Sequence, residues 1–141
     1  MSNLNAADLT IGIVGAGAMG RGIAQVSITG GMKALLFDAA DGAAAKAEEF
    51  IHGMLDRNVD KGRMEAADAE AAKSRLSVVS TLEGLAPCNL VVEAIVENIA
   101  IKQEVFTSLE KVVADDAIIA SNTSSIRIAS IAAACERKDR I

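Results

Sequence analysis

Three glycines spaced as GxGxxG, at Gly15, Gly17 and Gly20, constrain the fold more than any other feature of the sequence. The apolar run Thr10–Val14 precedes them, and a helical pattern follows. In such a strand–turn–helix unit, the first glycine permits the tight turn, the second lets a ligand approach the backbone, and the third lets the helix pack close to the sheet. Free amides at the start of that helix favour a phosphate group. The turn therefore predicts a binding site for a dinucleotide pyrophosphate.

The next apolar run, Lys33–Phe37, is followed directly by Asp38. A carboxylate at this point of a dinucleotide-binding unit can accept hydrogen bonds from both hydroxyls of the adenosine ribose, and it repels a 2′-phosphate. Ala39 and Ala40 come next, and no arginine lies nearby to receive such a phosphate. The sequence thus favours NAD over NADP. The alternative is that the glycines only form a tight turn and Asp38 only caps a helix.

Apolar runs and helical stretches alternate along the whole chain. We predict strands at 10–14, 33–37, 76–79, 89–93 and 117–120, and helices at 18–29, 41–60, 65–74, 99–113 and 126–135. This order predicts the α/β class, with a Rossmann-type, doubly wound and mainly parallel sheet. The link between the second and third strands is much longer than a plain crossover requires, which predicts a helical hairpin arm standing off the sheet.

Apolar spacing also predicts which side chains the helices bury. The predicted inward residues are Met19, Ile23 and Val26; Ala44, Ala47, Ile51, Met54, Leu55 and Asn58; Ile101, Val105, Leu109 and Val112; and Ile128 and Ile131. The last residues, Lys138 to Ile141, resemble the beginning of a further strand.

The bulk properties narrow the functional class. A length of 141 residues suits one domain spanning 1–141. The net charge of −5 argues against a nucleic acid partner, because phosphate contacts need clustered lysine and arginine. We expect no membrane partner, since no apolar run is long enough to span a bilayer. Cys88 and Cys135 are too few for a disulfide framework or a metal site, and we interpret them as free thiols of a cytoplasmic protein.

Four polar features follow the predicted fourth and fifth strands, at the edge where ligands bind in open α/β sheets. They are Glu93-Ala94, Glu97, Lys102 and the turn Asn122–Ser125. Each also has a structural explanation. Glu97 favours the start of a helix through the helix dipole, Lys102 could form a solvated pair with Glu97 or Glu104, and a serine could cap the last helix. Their clustering at one edge favours a ligand site.

Four blocks of the sequence resemble, in order and spacing, blocks of the 3-hydroxyacyl-CoA dehydrogenase family: GAGAMGRGIAQ, LLFD, VVEAIVENIAIKQEVF and ASNTSSIRIASIA. The resemblance covers residues 10–141 and is most specific from Val91 to Ile131. Enzymes of that family oxidise the 3-hydroxyl of a hydroxyacyl-CoA and reduce NAD. The lambda-crystallins share the same N-terminal pattern.

The resemblance implies a role for each matching position. Ser124 would contact the reacting oxygen of the substrate beside the nicotinamide, and is the catalytic residue that this chain supplies. Lys61 would contact CoA, whereas Met54 stands where some members have a CoA-contacting serine. The implied cofactor-binding residues are Gly15, Ala16, Gly17, Ala18, Met19, Gly20, Asp38, Ala94, Glu97, Lys102 and Asn122, with Asn122 shaping the turn.

The family pattern continues beyond Ile141 into a strand that carries a catalytic histidine, and then into a helical C-terminal domain that forms a dimer interface. The single histidine here, His52, lies mid-helix and far in sequence from every strand end, so we do not expect it to act as the base. We therefore expect residues 1–141 to be the NAD-binding domain, truncated before its last strands, and to bind NAD without turning over substrate. The full-length parent is expected to be a homodimer.

Two other functions stay open at this stage. One is a β-hydroxyacid dehydrogenase that acts on free acids, which would need neither the Asn122–Ser125 turn nor the long hairpin. The other is a non-catalytic protein, either crystallin-like or a dinucleotide sensor, which would keep Gly15, Gly17 and Asp38 without needing Ser124.

Overall fold

A computed structural model describes residues 5–141 of the chain. Its strands are β1 (Thr10–Val14), β2 (Lys33–Phe37), β3 (Leu76–Val78), β4 (Leu90–Glu93) and β5 (Ile118–Ser121), and its helices are α1 (Ala18–Thr29), α2 (Ala43–Asp60), α3 (Ala66–Ser74), α4 (Ile99–Val112) and α5 (Ile128–Ala132). Short 3-10 turns cover Ala6–Asp8, Leu82–Leu85 and Lys138–Arg140. The predicted order of elements is confirmed, with most bounds within one or two residues.

The five strands form one parallel sheet in the order β3-β2-β1-β4-β5. β1 pairs with β2 on one side and with β4 on the other, so Val14 lies beside both Phe37 and Glu93. The strand order reverses at β1, and in open α/β sheets ligands bind in the crevice at this point. The predicted α/β class and doubly wound parallel sheet are confirmed, and the first turn, Asp38 and the residues after β4 share one edge.

Two apolar clusters lie on the two faces of the sheet. Alternate residues of a strand point to opposite faces, so Ile13 packs with α1, α2 and α3, whereas its neighbour Val14 packs with α4 and α5. The hairpin of α2 and α3 is present, but its inner side belongs to the first cluster through Ile51, Leu55 and Ala72. It is therefore anchored in the core along its inner face and does not stand clear of the sheet.

The predicted buried face of α1 is wrong at Met19 and Val26, whereas Ile23 is partly buried against the first cluster as expected. Met19 is 59% exposed and Val26 72% exposed, while Ala24 and Ile28 are fully buried beside the sheet. Near the turn the inward residue is Gly20, where a Cβ would overlap the carbonyl oxygen of Gly15. Packing this close to the turn leaves no room for a larger side chain.

The predicted faces of α4 and α5 also need correction. In α4, Leu109 is buried as expected, but Lys102 and Phe106 are buried in place of Ile101, which is exposed. Lys102 lies on the inner face because it forms an ion pair with the buried Glu93. The last helix is a single short turn, Ile128–Ala132, with Ile128 exposed.

The final residues form a 3-10 turn instead of the predicted strand. The buried guanidinium of Arg140 donates hydrogen bonds to the carbonyl oxygens of Ala114 and Glu110, at 2.6 and 2.7 Å, at the end of α4. No helix among residues 5–141 combines the length and the apolar character needed to cross a bilayer.

Candidate functional site

The glycine-rich turn has the backbone conformation that its sequence predicts. Gly15 has φ +110°, and a Cβ there would lie 2.5 Å from the carbonyl oxygen of Ala94. A Cβ on Gly17 would meet nothing within 4 Å. The first and third glycines are therefore required by close contacts inside the protein. Gly17 faces open space, which leaves its backbone accessible to a ligand.

Asp38 lies next to this turn. One of its carboxylate oxygens accepts a hydrogen bond from the amide of Ala16 at 2.8 Å, and the other accepts one from the amide of Ala40 at 2.8 Å. The amide of Gly15 donates to the carbonyl oxygen of Phe37 at 2.8 Å. These contacts hold the end of β2 against the start of the turn. The two features that predict a dinucleotide site are thus adjacent.

A cleft of about 480 Å³ opens between this turn and the residues that follow β4. Most of its wall is apolar, and among residues 5–141 Asp38 is its only charged side chain, with no arginine or lysine in the lining. A cleft with an apolar wall and one carboxylate suits an adenosine without a 2′-phosphate. It is lined by Val14, Gly15, Gly17, Phe37, Asp38, Ala39, Ala40, Ala94, Ile95, Val96, Ile101 and Val105.

A buried ion-pair network lies beside the cleft. The ammonium of Lys102 is only 1% exposed and lies 2.6 Å from a carboxylate oxygen of the fully buried Glu93 and 3.0 Å from one of Glu97. Lys102 is therefore a bridge between two carboxylates and not the solvated pair that its sequence allowed. Its predicted contact with the cofactor stays a prediction, because its ammonium lies below the surface.

Glu97 lies at the surface end of this network, with 41% of its side chain exposed. Its second carboxylate oxygen accepts hydrogen bonds from the hydroxyls of Ser125 at 2.6 Å and Thr123 at 2.8 Å. The Ser125 hydroxyl first, then those of Thr123 and the Lys102 ammonium, lower the pKa of Glu97 to about 2. Glu97 thus stays ionised and ties the loop after β4 to the turn after β5.

From Ser121 to Ser125, side chains that hydrogen-bond to a carboxylate alternate with side chains that do not. Ser121, Thr123 and Ser125 each donate to a carboxylate, of Glu93 or of Glu97. Asn122 and Ser124 are exposed between them, and neither side chain makes a hydrogen bond within residues 5–141. The structure therefore leaves the two predicted ligand-binding side chains of this turn free at the surface.

Sequence reasoning named Glu93 among the polar features of this edge but did not predict its burial or its ion pair with Lys102, and it missed Ser121. A glutamate that ends an otherwise apolar strand is the signal that could have predicted this burial and pairing, because a buried carboxylate requires a partner. That partner, Lys102, is visible only once β4 and α4 are packed together. Ser121 has no comparable signal.

The remaining predicted residues lie apart from the cleft. Lys61 is exposed at the end of α2, and Met54 is half-buried on the same helix, 3.6 Å from a guanidinium nitrogen of Arg57. His52 is half-buried in α2, and its Nε2 has no hydrogen-bond partner in the described part of the chain. Residues 5–141 contain no cluster of histidine, cysteine, aspartate or glutamate that could hold a metal ion.

The profile of the family described as "3-hydroxyacyl-CoA dehydrogenase, NAD binding domain" matches residues 10–141. The chain belongs to the 3-hydroxyacyl-CoA dehydrogenase family. Over 132 residues it is 39% identical to a 3-hydroxybutyryl-CoA dehydrogenase of Mycobacterium tuberculosis, and the match covers 93% of this chain and 46% of that protein. The chain thus spans about half the length of such a relative.

Solved structures of the family share the fold. The chain matches a 3-hydroxybutyryl-CoA dehydrogenase from Escherichia coli with a TM-score of 0.92 and 35% identity, over 97% of this chain and 29% of that one. It matches an (S)-3-hydroxybutyryl-CoA dehydrogenase from Ralstonia eutropha with a TM-score of 0.88 and 37% identity, over 93% and 46%. The resemblance inferred from the sequence is therefore confirmed.

The cofactor of this family domain is NAD, and the residues present fit it. The open space at Gly17 admits a ligand to the backbone, whereas contacts inside the protein already fill the positions of Gly15 and Gly20. In the described part of the chain, Asp38 is the only charged side chain that lines the cleft, which suits a ribose with two free hydroxyls.

Proposed function

We propose that this chain is the NAD-binding domain, residues 1–141, of a dehydrogenase that oxidises (S)-3-hydroxyacyl-CoA to 3-oxoacyl-CoA. One observation carries the proposal: the glycine turn with Asp38 and the exposed pair Asn122 and Ser124 lie on the same edge of the sheet. The matched relatives are named for this activity or for the butyryl form of it.

The residues of this chain would divide the work of binding. The backbone from Gly15 to Gly20 would hold the pyrophosphate, with Ala16, Ala18 and Met19 in that loop, and Asp38 would hold the adenosine ribose. Ala94, Glu97, Lys102 and Asn122 would complete the pocket toward the nicotinamide. NAD, when bound, accepts the hydride that leaves C3 of the substrate.

Ser124 would act on the substrate directly. Its hydroxyl is exposed and unpaired within residues 5–141, so it can donate a hydrogen bond to the reacting oxygen and fix the orientation of C3. The proton of the substrate hydroxyl must pass to a base. We propose that this base lies outside residues 1–141, because the only histidine here, His52, lies on α2 among residues that do not line the cleft.

CoA would lie against the hairpin, where Lys61 is exposed at the end of α2. A Lys61→Ala variant of the full-length enzyme should raise KM for the CoA substrate while leaving the affinity for NAD unchanged. An equal KM in variant and wild type would show that Lys61 does not contact CoA.

We further propose that the full-length protein is a cytoplasmic homodimer that pairs outside residues 1–141. Cys88 and Cys135 are both free and buried, which suits a reducing compartment. Light scattering of the full-length protein at two concentrations tests the dimer. A monomer at both would contradict it.

The test of the proposed function is NADH formation by the full-length protein. We expect turnover of (S)-3-hydroxybutyryl-CoA and none of free (S)-3-hydroxybutanoate; turnover of the free acid alone would instead indicate a β-hydroxyacid dehydrogenase. Ser124→Ala should lower kcat by about 100-fold, as removal of a single positioned donor does in other enzymes. Ser130→Ala, which removes an exposed and unbonded hydroxyl of α5, should keep full activity.

The isolated chain supplies a second test. Residues 1–141 should release or absorb heat on titration with NAD, but form no NADH with any hydroxyacyl-CoA. NADH formation by this chain alone would show that the base lies within it.

A further inference from the structure

Glu93 ends strand β4, and its carboxylate is completely buried. One oxygen accepts hydrogen bonds from the ammonium of Lys102 at 2.6 Å and from the amide of Ile95 at 2.7 Å. The other accepts one from the hydroxyl of Ser121 at 2.6 Å. Replacing a buried ion pair by apolar side chains of similar volume is often neutral or stabilising. Stability alone therefore gives little reason for a carboxylate at this place.

Glu93 contacts both segments that flank the crevice beyond β4 and β5. Its bond to the amide of Ile95 fixes the loop that forms one wall of the cleft. Its bond to Ser121 fixes the start of the turn after β5, and its backbone carbonyl accepts the amide of Asn122 at 2.8 Å. The Ser121 oxygen in turn accepts the amide of Thr123 at 3.1 Å. Two consecutive turn residues thus depend on Glu93.

The same network reaches the far end of the turn. The ammonium of Lys102 connects Glu93 to Glu97, and Glu97 accepts the hydroxyls of Thr123 and Ser125. Ser121, Thr123 and Ser125 are therefore held by carboxylates, and the exposed side chains of Asn122 and Ser124 lie between them outside the network.

We propose that Glu93 is a positioning residue that holds the turn after β5 so that Asn122 and Ser124 face the cofactor and substrate. This inference rests on the proposed function, because it assigns those two side chains to ligands. Glu93 itself does not line the cleft, so it acts through Ser121, Lys102 and the backbone.

The decisive experiment is a double-mutant cycle between Glu93→Gln and Ser124→Ala in the full-length enzyme. We expect Glu93→Gln to lower kcat by about 10- to 100-fold, since a misplaced reacting group costs rate on this scale, with KM for the acyl-CoA changed less than about threefold. If Glu93 acts through the turn, the double variant Glu93→Gln/Ser124→Ala should have a kcat less than about threefold below that of Ser124→Ala alone. Losses that multiply independently would overturn the proposal.

A readout that does not depend on turnover is hydrogen exchange. In Glu93→Gln the amide of Thr123, whose acceptor is the Ser121 hydroxyl that Glu93 holds, should exchange at least about tenfold faster, while those of Ile119 and Ala120 in β5 keep their rates. The affinity for NAD, measured by calorimetry, should fall less than kcat does, because Asp38 is held by separate contacts. Faster exchange along the whole sheet would indicate a general structural role and overturn the proposal.

Glu104→Gln is the matched control, because it makes the same change at an exposed position of α4 whose side chain has no hydrogen bond within residues 5–141. It should match the wild type in every measurement. If Glu93→Gln does not fold, Ser121→Ala removes only one hydroxyl and should show the same pattern with a loss of about threefold to tenfold. Wild-type rates and exchange in Ser121→Ala would overturn the proposal.

Failure of the proposed function would be visible separately, as a wild-type enzyme that oxidises no hydroxyacyl-CoA. Hydrogen exchange at Thr123 then decides alone whether Glu93 holds the turn.

Discussion

At the scale of single residues, the site depends on what two neighbouring glycines of α1 would meet if they carried a side chain. A Cβ at Gly20 would overlap the carbonyl oxygen of Gly15, whereas a Cβ at Gly22 would meet nothing within 4 Å. Both lie inside the same helix, so their intrinsic helix preference is equal. Any difference in stability between alanine variants at the two positions therefore measures the effect of the close approach of the helix to the turn.

Gly20→Ala should therefore destabilise the protein by at least about 2 kcal/mol, because overpacking against a backbone carbonyl requires the backbone to move. Gly22→Ala should instead stabilise it by about 0.5–1 kcal/mol, through the lower helix propensity of glycine. Thermal unfolding followed by circular dichroism measures both. Equal melting temperatures of the two variants would contradict the packing at Gly20.

Asp38 gives a second prediction at this scale. Asp38→Ser should weaken NAD binding about tenfold or more, because a hydrogen bond to a charged group contributes about 1.5–3 kcal/mol. Removing the negative charge should also raise the affinity for NADP relative to NAD. Asp41→Asn removes the charge of a nearby exposed aspartate and should change neither affinity. Calorimetric titration with the two cofactors decides, and an unchanged ratio of affinities would exclude Asp38 as the discriminating group.

At the scale of elements, the strands, the hairpin and the turns were predictable because their signals are local. Short apolar runs between helical stretches mark the strands, and the glycines mark the first turn. The faces of α1 and α4 were not predictable in this way. Close packing at Gly20 determines which face of α1 is buried, and the ion pair with Glu93 places Lys102 on the buried face of α4. Both causes lie in other elements, so apolar spacing within the helix could not reveal them.

The contact of Glu97 with the turn after β5 predicts a dependence of stability on pH. The pKa of Glu97 is lowered from 4.5 to about 2, so the contact stabilises the folded protein above pH 4.5 and is lost as the pH falls toward 2. Urea unfolding should show the wild type more stable than Glu97→Gln near neutral pH, with the difference shrinking through this window. A difference independent of pH would contradict it.

The hairpin gives a matched pair of neighbouring residues on α2. Ile51 is fully buried in the core, and the exposed Phe50 stacks on the guanidinium of Arg21 at 3.8 Å. Ile51→Ala should cost about 2–5 kcal/mol of unfolding free energy, as for other buried aliphatic residues. Phe50→Ala should cost about 0.5–1 kcal/mol. Urea unfolding of both variants checks this, and a small cost at Ile51 would mean that the hairpin is not anchored.

At the scale of the whole molecule, one parallel sheet brings together groups that are distant in sequence. The glycine turn, Asp38 and the family assignment followed from short motifs. The network of Glu93 and Ser121 did not, because it exists only where β4, β5 and α4 meet. Local chemistry thus predicted the elements that form the cleft, while long-range packing determines how the groups around it are held.

Cofactor binding should stabilise the molecule as a whole. At about 1,000 times its dissociation constant, NAD should add about 4 kcal/mol to the unfolding free energy of the isolated chain by mass action. NADP at the same concentration should add far less. Equal increases in melting temperature with the two dinucleotides would show that the cleft does not discriminate between them.

The chain has no tryptophan or tyrosine, but burial of Cys88 gives it another intrinsic reporter. Burial raises the pKa of this thiol to about 11. Its sulfur packs against Gly12 in the central strand, and a Cβ built on Gly12 would lie only 2.9 Å from it. A thiol-specific reagent can label it only after the sheet has opened. The labelling rate of Cys88 thus measures how often the domain opens spontaneously, and saturation with dinucleotide should lower this rate.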